Sequence, residues 1–375
     1  MKRLLFTLSG LVMLVNLQAQ YKVEEAPEWS ALFIRNNGWF GGDGIYSIPF
    51  NGVENRRSDS LLFIFSDSMI GTIENDSLQP GSRMIHNSVA IWNGHEMQFS
   101  WPENEQHEAI SVFEPGTPLT EKNDYYWLGD GFVNQEQDNT LYIFGYRIRN
   151  VSQEAFGFRE VGNTLIKISK GTTPPFTKYG QMDTPFFFTD KSGQIGSYGA
   201  GIYVNTKKAG APAPDGYVYI YGVHGMEKGM VVARVKPAEF DHFDQWRFYN
   251  GKTWVKEMNK AVDVTNKVSN ELSVSPLPDG KYALIFQEGG LSTTIGMRVG
   301  TTPIGPFGPV IKLWDCSKDA EEKTYVMYNA KAHPGISAPG ELLISYNVNS
   351  VEFFNDLQKH PHLYRPRFLR LKLTH

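Results

Sequence analysis

The chain has 375 residues, a formal net charge of −4 and 20% charged residues in mixed order, with no basic stripe, so nucleic acid is not an expected partner. One cysteine, Cys316, excludes an intramolecular disulfide and leaves the fold to core packing. An aromatic fraction of 13%, with 36 Gly and 21 Pro, points to a turn-rich all-β protein.

Met1-Lys2-Arg3, an apolar run over 4–15 and Ala19 read as a secretory signal peptide, 1–19. The run is too short to span a bilayer, and no later segment is apolar enough, so no membrane span is expected in the mature chain. The expected location is exported, periplasmic or extracellular. Residues 20–375 are expected to form one monomeric domain.

From there the apolar runs are short and end in Gly, Pro, Asn or Asp, the pattern of strands and turns. They fall into groups. The first holds runs at 44–50, 61–65 and 87–92, followed by a stretch at 96–123 that reads as irregular. The second holds 125–133, 140–146 and 163–168, and the third 199–204, 216–222 and 229–235, continuing to 246–254. The fourth holds 270–276, 280–288 and 294–299, and the fifth 328–334, 340–347 and 368–373. Gly171-Thr172-Thr173-Pro174-Pro175-Phe176 in the second group is nearly copied by Gly300-Thr301-Thr302-Pro303, with Gly305-Pro306-Phe307, in the fourth. A recurrence of roughly 70 residues, each built of about four antiparallel strands, predicts a five-bladed β-propeller.

Asp43 precedes the first run and Asp67 follows the second. If the two runs are antiparallel neighbours, both carboxylates lie at one sheet edge. Gly41, Gly42 and Gly44 clear side chains from around Asp43, so a backbone or a ligand can approach it. Aligning the groups by their first strands brings Asp43, Asp130, 199–201, Glu271 and 329–333 to comparable places. Aligning the second strands does the same for Asp67, Tyr146, His224, Glu288 and Asn347.

Carboxylates gathered in one funnel raise one another's proton affinity and can divide into acid and base, as glycosidic hydrolysis requires. The alternative for each is a hydrogen bond that caps a blade. Trp39, Trp92, Trp127 and Tyr46 either stack on sugar faces or fill inter-blade core. His86, His224 and His333 either bind hydroxyls or an ion, or are ordinary polar groups. No Cys/His spacing fits zinc. Asn329, Lys331 and His333 alternate along one strand and are expected on one face, lining the channel.

The stretches 39–43, 65–67, 232–234 with 246–254, 300–307 and 328–347 resemble five-bladed propeller glycosidase-like proteins. The nearest likeness is to secreted bacterial proteins carrying a domain of unknown function related to endo-D-arabinanases. More distantly the chain is similar to family-43 and family-32 glycoside hydrolases. The arabinanase likeness implies that Asp43 and Asp67 carry the chemistry. The family-43 likeness implies Asp43 as base, Glu271 as acid and Asp130 as the group that tunes it. The Trp-Asn-Asp-Pro-Asn-Gly signature of family 32 is missing. Some propeller glycosidases hold a channel calcium ion, which the residues here neither support nor exclude; no other metal or cofactor is expected.

The expected function is therefore an exported glycan-active hydrolase acting on a carbohydrate substrate. Its catalytic candidates are Asp43, Asp67, Glu271 and Asp130, and its substrate-binding candidates Trp39, His86, Glu288, Lys331 and His333. A non-catalytic carbohydrate-binding propeller is the alternative, and a structural or protein-binding propeller the third.

Overall fold

The computed structural model describes residues 21–152 and 156–373. The expected signal peptide, 1–19, lies outside the described residues. No helix among the described residues is long and apolar enough to cross a membrane.

The protein is all-β, and antiparallel sheets follow one another along the chain. The first sheet runs Tyr46–Pro49, Leu61–Phe65, Ser88–Trp92, Met97–Ser100. The second runs Tyr125–Asn134, Thr140–Asn150, Phe158–Ile168, Gly180–Asp183. The third has Ile195–Asn205, Tyr217–His224 and Gly229–Val235, with Phe187–Thr189 before them and Arg247–Tyr249 and Trp254–Val255 beyond. The fourth is Leu272–Pro276, Tyr282–Gln287, Thr294–Gly300, Ile311–Asp315, and the fifth Tyr325–Ala332, Glu341–Ser350, Pro366–Lys372. Lys22–Glu25 pairs with Pro366–Lys372, so the N-terminal segment supplies the fifth sheet's outer strand. A smaller sheet pairs Asn37–Gly42 with Ser68–Glu74, inserted between two strands of the first. The stretch at 96–123 is therefore not wholly irregular, because Met97–Ser100 closes the first sheet.

The second strand of each sheet shows why these sheets form a ring. Leu61, Phe63 and Phe65 pack on one side with Phe33, Trp39 and Phe368, while Leu62 and Ile64 pack on the other with Tyr126 and Ile143. Tyr142 and Phe144 share a core with Val218 and Ile220 of the third sheet, and Tyr219 and Tyr221 share another with Leu284 and Phe286 of the fourth. Ala283 and Ile285 pack with Leu342 and Ile344 of the fifth, whose Leu343 returns to the first. A sheet buried on both faces needs a continuous apolar run rather than alternation, which is how these strands read. The result is a propeller-type ring closed by core packing between the last sheet and the first.

The first strands of neighbouring sheets approach backbone to backbone. A Cβ at Gly129 would lie 2.7 Å from the carbonyl oxygen of Gly199, and one at Gly201 2.7 Å from that of Leu272. Bulges interrupt these strands at matching places, between Leu128 and Gly131, Tyr198 and Gly201, and Tyr328 and Lys331. Asn329 takes φ +63° at the last of them, so the alternation expected from Asn329 to His333 is reset there. The two Gly-Thr-Thr-Pro copies also match in structure, each with a cis X–Pro bond directly before its Phe.

Candidate active site

Asp43 lies between Asn37–Gly42 and Tyr46–Pro49, and Asp67 directly follows Leu61–Phe65. The N–H of Asp43 donates to the Asp67 carbonyl at 3.1 Å, and the N–H of Ser66 donates to the Asp43 carbonyl at 2.8 Å. Their side chains are near enough for the charge of Asp67 to act on the Asp43 carboxyl. Tyr328 donates its hydroxyl to Asp43 Oδ2 at 2.5 Å, and Tyr364 also hydrogen-bonds this carboxylate. Burial pushes the Asp43 carboxyl well above its usual range, the charge of Asp67 and then Glu271 adding to the shift, while the tyrosine bonds oppose it. Asp67, 18% exposed, meets His86 Nδ1 through Oδ1 at 2.9 Å, and His86 stacks on Tyr125 with ring centres 3.7 Å apart.

The glycines around Asp43 serve the fold. A Cβ at Gly41 would stand 2.3 Å from the Tyr364 carbonyl oxygen, and Gly44 has φ +61° with Ser66 against it. What comes close is backbone and Ser66, not an open space for ligand.

Glu271, just before Leu272–Pro276, is buried and forms an ion pair with Lys331. Burial raises its carboxyl, and Lys331 opposes the shift. Lys331 is itself 1% exposed, donates to the Ile45 carbonyl at 2.9 Å and lies over the Tyr46 ring. It is an internal counter-charge rather than a surface ready to meet substrate. Asp130 sits in the second-sheet bulge, where Oδ1 accepts the Gly131 N–H at 2.8 Å and Oδ2 the Ile202 N–H at 2.7 Å. It ties the second sheet to the third, although burial still lifts its carboxyl to about 7.

Three further expectations need correction. Trp39 has no exposed surface and stacks on Phe99 with centres 4.4 Å apart, so it is core and offers no face to a sugar. His333 is buried, with Nδ1 against Ser47 Oγ at 3.0 Å and Nε2 against Ser345 Oγ at 2.7 Å. Burial and the charge of Lys331 hold its imidazole neutral, so it is a locked structural group. Glu288 occupies the turn after Tyr282–Gln287, and the charge it faces is Arg298 rather than the carboxylate group.

Among the described residues, no group of three or more His, Cys, Asp or Glu side chains is placed to hold a metal ion. In the channel, Ser47 and Ser345 occupy both nitrogens of His333, and backbone N–H groups occupy both oxygens of Asp130.

Sequence reasoning missed Glu160. It accepts from Ser197 Oγ at 2.6 Å, and burial raises its carboxyl to about 8. Tyr146 lies among Glu160, Glu271 and Asp130, whose charges help push its hydroxyl far above the usual value. A register shift between Arg147 and Ile148 sets Glu160 opposite Ile148, and no local pattern announces it. Tyr364 carries no sequence signal either, because it lies outside the repeat.

Fold and site together define a propeller-type ring with buried carboxylates near the starts of its inner strands. Residues 27–373 match the family described as a domain of unknown function, DUF5005, and the chain belongs to that family. No curated protein matches the sequence. Among solved structures, a provisionally assigned hydrolase from Bacteroides ovatus is 20% identical, with a TM-score of 0.71 over 95% of this chain and 92% of its own. That likeness establishes a shared fold. An exo-β-1,3-galactanase from Phanerochaete chrysosporium is 8% identical with a TM-score of 0.49, covering 89% of this chain and 61% of its own. An α-L-arabinofuranosidase from Podospora anserina is 9% identical with a TM-score of 0.47, covering 90% of this chain and 98% of its own.

Proposed function

We propose that the five sheets are the blades of a five-bladed propeller and that the protein is an exported, monomeric glycoside hydrolase. Asp43 and Asp67 form its acid and base pair. The observation that carries this reading is the backbone-linked pairing of the two aspartates, each with a different partner on its side chain. Like charges in one buried site hold a single proton between them. Burial favours that proton on Asp43, which then donates to the departing glycosidic oxygen. Asp67, oriented by His86, acts as base or nucleophile. Glu271 adds charge that raises Asp43 but is engaged by Lys331, and Asp130 fixes the neighbouring blade. The provisional hydrolase assignment of the Bacteroides ovatus protein agrees with this reading.

The test is reducing-end release from polysaccharides rich in arabinose, galactose, rhamnose and uronic acids, by wild type, Asp43→Asn and Asp67→Asn. Release by wild type, reduced roughly 10²–10⁴-fold in each variant, is expected. No release from any polymer, with binding to one of them retained in all three proteins, would identify a carbohydrate-binding propeller instead.

A further inference from the structure

Most aromatic rings here belong to the cores between sheets. Tyr125, Trp127, Phe156 and Phe158 belong to none of them. They form a continuous row. Phe156 is 61% exposed, and its ring centre lies 6.4 Å from that of Phe158. Phe158 meets Trp127 edge-on at 4.6 Å, Trp127 lies 6.1 Å from Tyr125, and Tyr125 stacks on His86. His86 holds Asp67.

The second sheet builds this row. Tyr125 and Trp127 are two apart on its first strand and share a face, while Phe158 opens its third strand opposite Asn150. The row starts at the end of the sheet where Leu128 N–H meets Ser66 Oγ, beside Asp67. Polar groups break it up: the Tyr125 hydroxyl donates to Asn150 Oδ1 at 3.0 Å, and Arg159 follows Phe158 with its side chain exposed. Edge-on rings with hydrogen-bonding groups between them suit sugar rings, which offer C–H faces and hydroxyl rims. A flat apolar partner would need a continuous patch.

We propose that Phe156, Phe158 and Trp127 form a row of sugar-binding subsites that leads, through the buried Tyr125 and then His86, toward Asp67, and that the ligand is a polysaccharide chain rather than a small glycoside. This rests on the glycan reading above. The chain lies across the second sheet and delivers one linkage to the aspartate pair.

The experiment is affinity electrophoresis of the purified protein through gels containing arabinan, arabinogalactan, xylan or rhamnogalacturonan, with wild type, Asp43→Asn, Trp127→Ala and Phe156→Ala. At least one polymer should retard wild type and Asp43→Asn alike, with binding about 2- to 10-fold weaker for each ring removed. Phe156 is mostly in solvent, so its variant tests the row even if Trp127→Ala fails to fold. Retardation unchanged in Phe156→Ala and in folded Trp127→Ala, or wild type bound by none of the polymers, would overturn the proposal. Ring-dependent binding without hydrolysis would uphold the row and overturn the glycosidase assignment. Hydrolysis indifferent to both rings would do the reverse.

Discussion

The Tyr328 hydroxyl reaches Asp43 Oδ2 at 2.5 Å from a residue 285 positions away, joining the last sheet to the carboxylate that opens the first. A hydrogen bond to an ionised carboxylate lowers its proton affinity. Tyr328→Phe removes that bond, so Asp43 should hold its proton to higher pH. With Asp43 as acid, the alkaline limb of kcat/KM should move up by about one pH unit or less in this variant. A pH–rate profile checks this, and an upward move of the acidic limb with the alkaline limb unchanged would assign Asp43 the role of base.

The aspartates should also behave as one unit. Asp43→Asn removes the proton donor and Asp67→Asn the base or nucleophile of one bond-breaking step, so the double variant should lose no more than about tenfold beyond the less active single variant. Single-turnover rates on a cleaved polymer measure this.

Glu160 has a folded-state proton affinity raised to about 8 by burial. The folded protein therefore binds more protons than the unfolded chain between the usual glutamate range and that value. The stability it lends is present at low pH and lost as pH rises through about 8. Glu160→Gln keeps an acceptor for Ser197 and removes the charge. It should raise Tm by about 2 °C or more at pH 8 and change it little at pH 4. Calorimetry at the two pH values reads the difference.

The ion pair of Lys331 with Glu271 is sealed between the first, fourth and fifth sheets. Removing only the cation leaves a buried carboxylate unpaired, so Lys331→Met should cost about 3–5 kcal/mol. The double variant Lys331→Met with Glu271→Gln should recover a large part of that loss. Urea unfolding of the three proteins tests the coupling.

Trp39 fills the core around Phe33, Phe65 and Phe99. Trp39→Ala should lower stability by about 3–5 kcal/mol. Any folded fraction should bind polysaccharide as wild type does, measured by titration below the melting temperature.

Much of the architecture was legible because it is local. Apolar runs such as Leu61–Phe65 and Tyr282–Gln287, buried on both faces and ended by turn residues, announce strands with core on each side, and their recurrence announces the ring. The likeness of position among Asp43, Asp130 and Glu271 was legible for the same reason. Their separate duties were not. Asp130 is engaged by N–H groups of two sheets, Glu271 by a lysine sixty residues on, and Asp43 by tyrosines from the far end of the chain. The alternation of Asn329, Lys331 and His333 holds for the last two, which line one cavity, and fails for Asn329, which sits in a bulge that depends on strand partners rather than on the strand itself.

By itself, then, the sequence determined an all-β chain of recurring sheets with carboxylates near strand starts, since strand period, turn chemistry and burial on two faces are written within a few residues. Only the tertiary structure decided which carboxylates stand together unengaged by lysine or backbone, that Trp39 is core, that Tyr364 bonds Asp43 and that Glu160 lies beside Tyr146. Those outcomes turn on which oxygen meets which donor once distant segments close the ring, and no short stretch of sequence carries that information.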